Sequence, residues 1–412
     1  TITGGFSPPD WTTADPTLTP TTLDAESLGQ VIVVGSAPTV TLEGLRIVNG
    51  YSSDDGGGVG NRDDPCHLTI RSCDIAYNAT EDDGAGVYLN MGTLILEDAR
   101  IEGNTAGSDG GGVYAREAVV TMTQNLFQEN VADTGSGGGS GGGAWLYQTP
   151  AYIADSTFRD NVAGDVGGGV YVGLGGNLTL ERNEFLYNTA TDYAGGLHAG
   201  LDVGDVHTIT HNLFQGNVAN PSGSGEGGGA YLTSREGAQL AFRHNEVVAN
   251  YACTGPTGSN GGLGGGVFVI GPARIADNLF EGNWANSAAP EGGFYFSGYG
   301  GGLYVKGPGI WVERNRILDN VAARNAGINY TSEAFGGGIR VGTTLNTVVT
   351  MTNNILAGNR HCADCGYLYG FYRGGGAIAV GGYTTPAHTR LHLYHNTIAD
   401  NQSPAIFNES AA

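Results

Sequence analysis

Two short phrases recur along this chain, and their recurrence decides what it can fold into. Gly110-Gly111-Gly112-Val113-Tyr114 is answered by Asn125-Leu126-Phe127-Gln128-Glu129-Asn130. Gly167-Gly168-Gly169-Val170-Tyr171 is answered by Asn183-Glu184-Phe185-Leu186-Tyr187-Asn188, and Gly300-Gly301-Gly302-Leu303-Tyr304 by Asn315-Arg316-Ile317-Leu318-Asp319-Asn320. The closing asparagines are Asn78, Asn104, Asn130, Asn161, Asn188, Asn217, Asn250, Asn283, Asn320, Asn359 and Asn401, with Gly50 in a first, degenerate copy. They stand 26 residues apart at the start and 42 at the end. That growth sits largely between the asparagine and the next glycine run: Gly110 follows Asn104 by 6 residues, Gly300 follows Asn283 by 17. A unit repeated at this period is the mark of a solenoid.

Inside each copy apolar residues alternate with polar ones, as in strands with one buried face. After the glycines run Val87/Leu89, Val113/Ala115 and Val170/Val172; before the first asparagine run Leu94/Leu96, Val120/Met122 and Leu178/Leu180. A third segment carries Ile75, Ile101, Phe127, Phe158, Phe185, Phe214, Phe280 and Ile317. Three short strands per unit, without a helical period, describe an all-β parallel β-helix solenoid of about 12 coils. Residues 1–43, broken by Pro8, Pro9, Pro16 and Pro20, are expected to form irregular capping coils. Residues 44–412 are expected to be one continuous solenoid.

The asparagines then acquire a physical role. An inward amide at a bend can hydrogen-bond the same group in the coils on either side. All eleven are expected to form such a structural ladder. Glycine, 73 of 412 residues against a usual level of roughly 7%, serves as the repeated bend residue. There is no Gly-X-Y period, which excludes collagen.

The phrases Phe127-Gln128-Glu129-Asn130, Phe158-Arg159-Asp160-Asn161, Phe214-Gln215-Gly216-Asn217 and Phe280-Glu281-Gly282-Asn283, each paired with Gly-Gly-x-apolar, resemble a known family. They are similar to the right-handed β-helix repeats of polymorphic outer-membrane proteins and bacterial surface adhesins. The resemblance covers roughly residues 44–408 and implies secretion, surface exposure and an adhesive or structural role. The pectate-lyase-like superfamily shares the fold, but fold alone does not assign an activity.

The net charge is −22, from 40 acids against 18 bases. Such a surface repels nucleic acid and anionic membranes, and no apolar run reaches the length of a membrane span. The segment opening Thr1-Ile2-Thr3-Gly4 lacks the basic and apolar regions of a leader, so the chain reads as a mature or excised extracellular segment. The five cysteines are Cys66, Cys73, Cys253, Cys362 and Cys365. Cys66 and Cys73 are one candidate disulfide pair, Cys362 and Cys365 another, and an odd cysteine remains.

Four groups of residues are candidate sites. The outward position of the glycine-led strand reads Tyr88, Tyr114, Trp145, Tyr171, His198, Tyr231, Phe268, Tyr304. Stacked at about 4.8 Å per coil, its aromatic members would make a platform for sugar rings or another subunit. The lengthening loops carry Phe294, Tyr295, Phe296, Tyr330, Tyr367, Tyr369, Phe371 and Tyr372, a composition suited to adaptable contacts. The acids before the glycines, Asp55, Asp83, Asp109 and Asp165, could together hold Ca²⁺, which takes six to eight oxygens; no other cofactor is implied. Arg116, Glu117, Asp202, Asp205, Arg235 and Glu236, with His207, His211 and His244, form no recognisable catalytic constellation. The leading expectation is a non-enzymatic surface protein that associates with itself head to tail. A polysaccharide lyase or hydrolase, or a glycan-binding module, is the alternative.

Overall fold

The structure, a computed structural model, describes residues 1–408 apart from residue 10 and the segments 36–38, 62–64, 134, 136–137, 256–260, 288–296, 325–332, 344–345, 364–372 and 382–388. The chain divides into two compact units, Thr1–Glu184 and Phe185–Ala412. Each is a parallel β-helix. A coil has three walls. In the coil that starts at Gly110 they are Val113–Thr123, Leu126–Gln128 and Val131–Ala132. The glycine-led strand and the strand before the first asparagine thus share one wall. They are fused in Val87–Glu97 and Val113–Thr123 and separate elsewhere, as in Ala144–Tyr147 and Ala151–Ala154. The third wall, two or three residues after each closing asparagine, has no period to reveal it in the sequence.

Register between coils is strict. In the first unit Val113 faces Ala144, which faces Val170, and Ile75, Ile101, Phe127 and Phe158 lie in one line. All of these are fully buried, and the Phe127 and Phe158 rings stack at 4.5 Å. The second unit repeats the arrangement with Phe185 on Phe214 at 4.8 Å. Residues 1–43 already contribute strands in register: Thr21–Asp24 pairs with Leu45–Val48, and Ile32–Val34 with Val59–Asn61.

The closing asparagines form the expected ladder, and they use every polar atom of the amide. Asn250 donates through Nδ2 to Phe214 O at 2.9 Å and to Asn283 Oδ1 at 3.0 Å. Its own Oδ1 accepts both the N–H and the Nδ2 of Asn217. The same pattern links Asn78, Asn104, Asn130 and Asn161 in the first unit. It continues through Asn283, Asn320, Asn359 and Asn401 in the second. Gly50, without a side chain, joins through its N–H to Asn78 Oδ1.

A second ladder stands at the other end of the Phe-bearing strand. In the second unit it runs Asn212, Asn245, Asn278, Asn315, Asn354, Asn396. In the first, Asn125 binds Ser156, which binds Asn183. The residue before each rung is left-handed: Gln124 (φ 60°), Glu129 (54°), His244 (54°), Asp319 (53°). A non-glycine residue in that region costs roughly 1–2 kcal/mol, so the ladders hold a bend the local sequence would not choose. The residue that opens the glycine run is also left-handed, as at Gly110 (φ 67°) and, without glycine, at Ala194 (57°). The third glycine of the run is needed for closeness: a Cβ on Gly112 would sit 2.4 Å from Gly143 O.

Replacing Asn250 by Ala removes the partner of two Asn217 donors and of the Phe214 carbonyl in the core, while Asn283 Oδ1 keeps the residue-250 N–H. We expect a loss of about 3 kcal/mol, read as a lower urea midpoint, against about 1 kcal/mol for the half-exposed Asn401→Ala.

Candidate functional site

The aromatic column forms, but it is less open than its sequence position suggests. In the first unit Tyr88 and Tyr114 stack at 5.0 Å, Tyr114 and Trp145 at 4.4 Å, and Trp145 and Tyr171 at 5.8 Å. Tyr88 and Tyr114 are buried, and only Trp145 and Tyr171 are half-buried. In the second unit Tyr231, Phe268 and Tyr304 continue at 5.0 and 4.8 Å, yet Phe268 is fully buried. The expectation of a solvent-facing platform is therefore corrected for Tyr88, Tyr114 and Phe268.

In the second unit the cover comes from the lengthening segments. Gly262–Leu263, Gly298–Tyr299, Ala334–Phe335 and Arg373–Gly374 pair as a fourth parallel sheet. Tyr193 and Glu226 extend it by single bridges. Arg340, which occupies the column position, places its guanidinium 4.8 Å from the Phe335 ring and donates to Gly381 O at 2.7 Å. The loop candidates Phe294, Tyr295, Phe296, Tyr330, Tyr367, Tyr369, Phe371 and Tyr372 lie outside the described residues.

The acids of the first unit make a ladder of their own beside the tyrosines. Asp83 N–H donates to Asp55 Oδ1, Asp109 N–H to Asp83 Oδ1, and Ser140 N–H to Asp109 Oδ1. Asp165 is one residue out of this row, which Val166 holds instead: Gly110 N–H reaches Ser140 O and Gly141 N–H reaches Val166 O. Burial raises the pKa of Asp55, Asp109 and Asp165, and takes Asp83 from its ordinary 3.8 to about 7; repulsion from Asp109, Asp82 and Asp55 adds to it. Among the described residues, Asp54, Asp55 and Asp82 form a trio of carboxylates within 4.8 Å of one another, and Asp54 and Asp55 line a cleft of about 630 Å³ with Gln30, Tyr51 and Tyr88. That trio differs from the four acids read from the sequence.

The other polar candidates are engaged locally. Arg116 pairs with Glu117 at 3.3 Å and Arg235 with Asp202 at 2.8 Å. The Asp205 carboxylate accepts the Asp202 N–H. His207 is fully buried, and His211 and His244 stack at 4.9 Å on the left-handed bend positions.

The candidate Cys66–Cys73 disulfide is not formed: both are free and buried, as is Cys253. Cys73 occupies the second ladder's column, in line with Ala99 and Asn125, and its Sγ donates to Arg71 O. Cys66 lies at the start of its strand, opposite Gly92. Cys362 is disulfide-bonded; its candidate partner Cys365 lies outside the described residues. Burial pushes the Cys253 thiol up to about 11 and raises Cys66 and Cys73 as well.

Residues 67–285, more than half of the chain, match the family model described as right handed beta helix region. No curated protein and no solved structure matches the chain.

The carboxylate ladder sets a pH dependence of defined sign. Asp83 is most easily accommodated neutral, so its contribution is fully present below about pH 4 and is lost as the pH rises through about 7. The thermal midpoint of the protein is expected to fall by a few degrees from pH 5 to pH 8, and Asp83→Asn to flatten that slope. Asp155 and Asp277, held low by hydrogen bonds from Arg182 and Arg314, change charge below this window. For the thiols, iodoacetamide followed by mass spectrometry should label Cys66, Cys73 and Cys253 only after unfolding.

Proposed function

We propose that this chain, which belongs to the right-handed β-helix family, is a structural and adhesive unit of an extracellular surface that associates coil to coil. The fold is one that secreted and surface β-helix proteins share with lyases and hydrolases, so the reading rests on this chain's own features. The observation that carries it is the last described coil of the second unit. Among the described residues, Arg390–Tyr394, Thr397–Ala399 and Ile406–Asn408 are each paired on one side, with Val348–Thr352, Ile355–Ala357 and Ile378–Val380. Their inward positions continue the core columns. Leu393 follows Met351 and Ile406 follows Ile378, both fully buried, yet Leu393 is 38% and Ile406 46% exposed. Asn396 and Asn401 bring both ladders to the same face.

Apolar columns and amide rungs that reach this face in register are complementary to a further coil of the same kind. A second copy of this chain supplies one. In the first unit Ile2, Leu18, Leu28 and Val33 are likewise exposed. A contact between two different faces that does not close propagates as a filament. The disulfide at Cys362 fits an oxidising compartment, and the surplus of acids fits an exposed, well-hydrated surface. Among the described residues, no helix is long and apolar enough to cross a membrane.

Light scattering across a concentration series, with negative-stain micrographs, tests the proposal. Concentration-dependent assemblies are expected, and Leu393→Lys with Ile406→Lys should abolish them while leaving the urea midpoint within about 1 kcal/mol. A wild-type protein that stays monomeric throughout, or that releases unsaturated or reducing products from polysaccharides, overturns it.

A further inference from the structure

The fourth sheet of the second unit begins as two single bridges, and a cavity opens where it begins. Tyr193, Glu226, Leu263 and Tyr299 follow one another in register along it. Together with Asp192, Ser224 and Gly261 they line a cavity of about 330 Å³. Ser224 and Gly261 precede Glu226 and Leu263 by two residues, and their small size makes room for it. Coil-to-coil association through Leu393 and Ile406 does not use this place.

The lining joins two kinds of group that both favour a cation. Asp192 and Glu226 supply carboxylates, and among the described lining residues there is no base. Glu226 is half-buried, and the Tyr231 hydroxyl donates a hydrogen bond to it. Burial raises its pKa; the pull of Lys306 opposes this, and repulsion from Asp192 adds to it. Lys306 stands outside the described lining, with its ammonium 4.8 Å from the Phe268 ring. The aromatic members of the lining, Tyr193 and Tyr299, are half-buried. Tyr193 is fixed by stacking on Tyr231 at 5.4 Å, and Tyr299 by stacking on Phe335 at 6.1 Å. A carboxylate held partly out of water is stabilised by a paired counter-charge, and a tyrosine ring attracts an organic cation to its face.

The acceptors choose among organic cations. The two carboxylates and the Ser224 hydroxyl offer three accepting groups, and a primary ammonium has three N–H donors to meet them. A quaternary ammonium has none and would take water from these acceptors without replacing it. Beyond Glu226 the row turns apolar. Leu263 comes next, and Tyr299 lies two rungs from Glu226, about 10 Å at the spacing of paired strands, a length that suits an unbranched alkyl stem. We infer that this cavity binds a primary alkylammonium, its charged head on Glu226 and Asp192 beside Tyr193 and its stem along Leu263 towards Tyr299. A lysine side chain and a small alkylamine share this chemistry.

The intact chain, titrated by calorimetry at low salt, tests the inference. Four probes are used: hexylamine, Nα-acetyl-lysine amide, tetramethylammonium and hexan-1-ol. Saturable binding of hexylamine, of the lysine derivative or of both is expected, and the tighter of the two identifies the source of the ammonium. Affinity should fall roughly tenfold or more in Glu226→Gln and in Asp192→Asn, with unchanged urea midpoints, and should weaken with added salt. Asp54→Asn, which removes an exposed acid from the first unit, should leave it unchanged and so separates this site from general attraction to an acidic chain. Four results overturn the inference: no saturable binding of either amine, affinity undiminished in both cavity variants, equal affinity for tetramethylammonium or hexan-1-ol, or an equal loss in Asp54→Asn.

Discussion

The stacked side-chain amide is the interaction on which the rest of this structure depends. A carboxamide has two donors and two acceptor lone pairs, and a bend inside a solenoid offers matching partners for all of them. At Asn250 two donors reach one coil's carbonyl and the next coil's amide, while the oxygen accepts two N–H groups. No aliphatic residue could fill that position without leaving backbone groups unmet. The left-handed residues beside the rungs follow from this. Glu129, Asp160, Tyr187 and Asp319 have no intrinsic reason to adopt φ near 54°, and the ladder sets it for them.

Much of this was legible in the sequence because the ladder and the core columns repeat at fixed offsets. Phe127, Phe158, Phe185 and Phe214 announce the Phe-bearing wall, and the eleven asparagines announce one bend. The second ladder was harder to see. Ser156 interrupts it, and Ala99 and Cys73 occupy its first places, so its column lacks a constant residue. The third wall is only two or three residues long, too short for an alternation to appear. The cover over the aromatic column was invisible for a different reason. Strands such as Gly298–Tyr299 and Ala334–Phe335 come from segments of variable length, where no offset is kept. Outward in the coil does not mean outward in the protein.

Charge shows the same gap between position and environment. Asp83 and Asp155 are both aspartates at the edges of coils in the first unit. One is crowded among other carboxylates and half-buried, which raises its pKa to about 7. The other is clamped by Arg182 at 2.7 Å and held low. Sequence shows the acid and not its neighbour one coil away, because that neighbour is 26 or more residues distant.

Amide ladders close two of the three corners in the second unit and one, with parts of the other, in the first; the third corner is closed mainly by glycine and backbone. The first two corners cannot accept or lose a residue without breaking a chain of hydrogen bonds that spans many coils. The third can. From the 6-residue connection after Asn104 to the 17-residue connection after Asn283, length changes there while strand register on either side is kept. The architecture therefore separates a frame of fixed geometry from a permissive seam at this corner and a shorter variable link within the first wall, as between Val341 and Val348. Foreign segments spliced into that seam would be carried at intervals of one coil, so the fold is inherently a display scaffold with a built-in ruler.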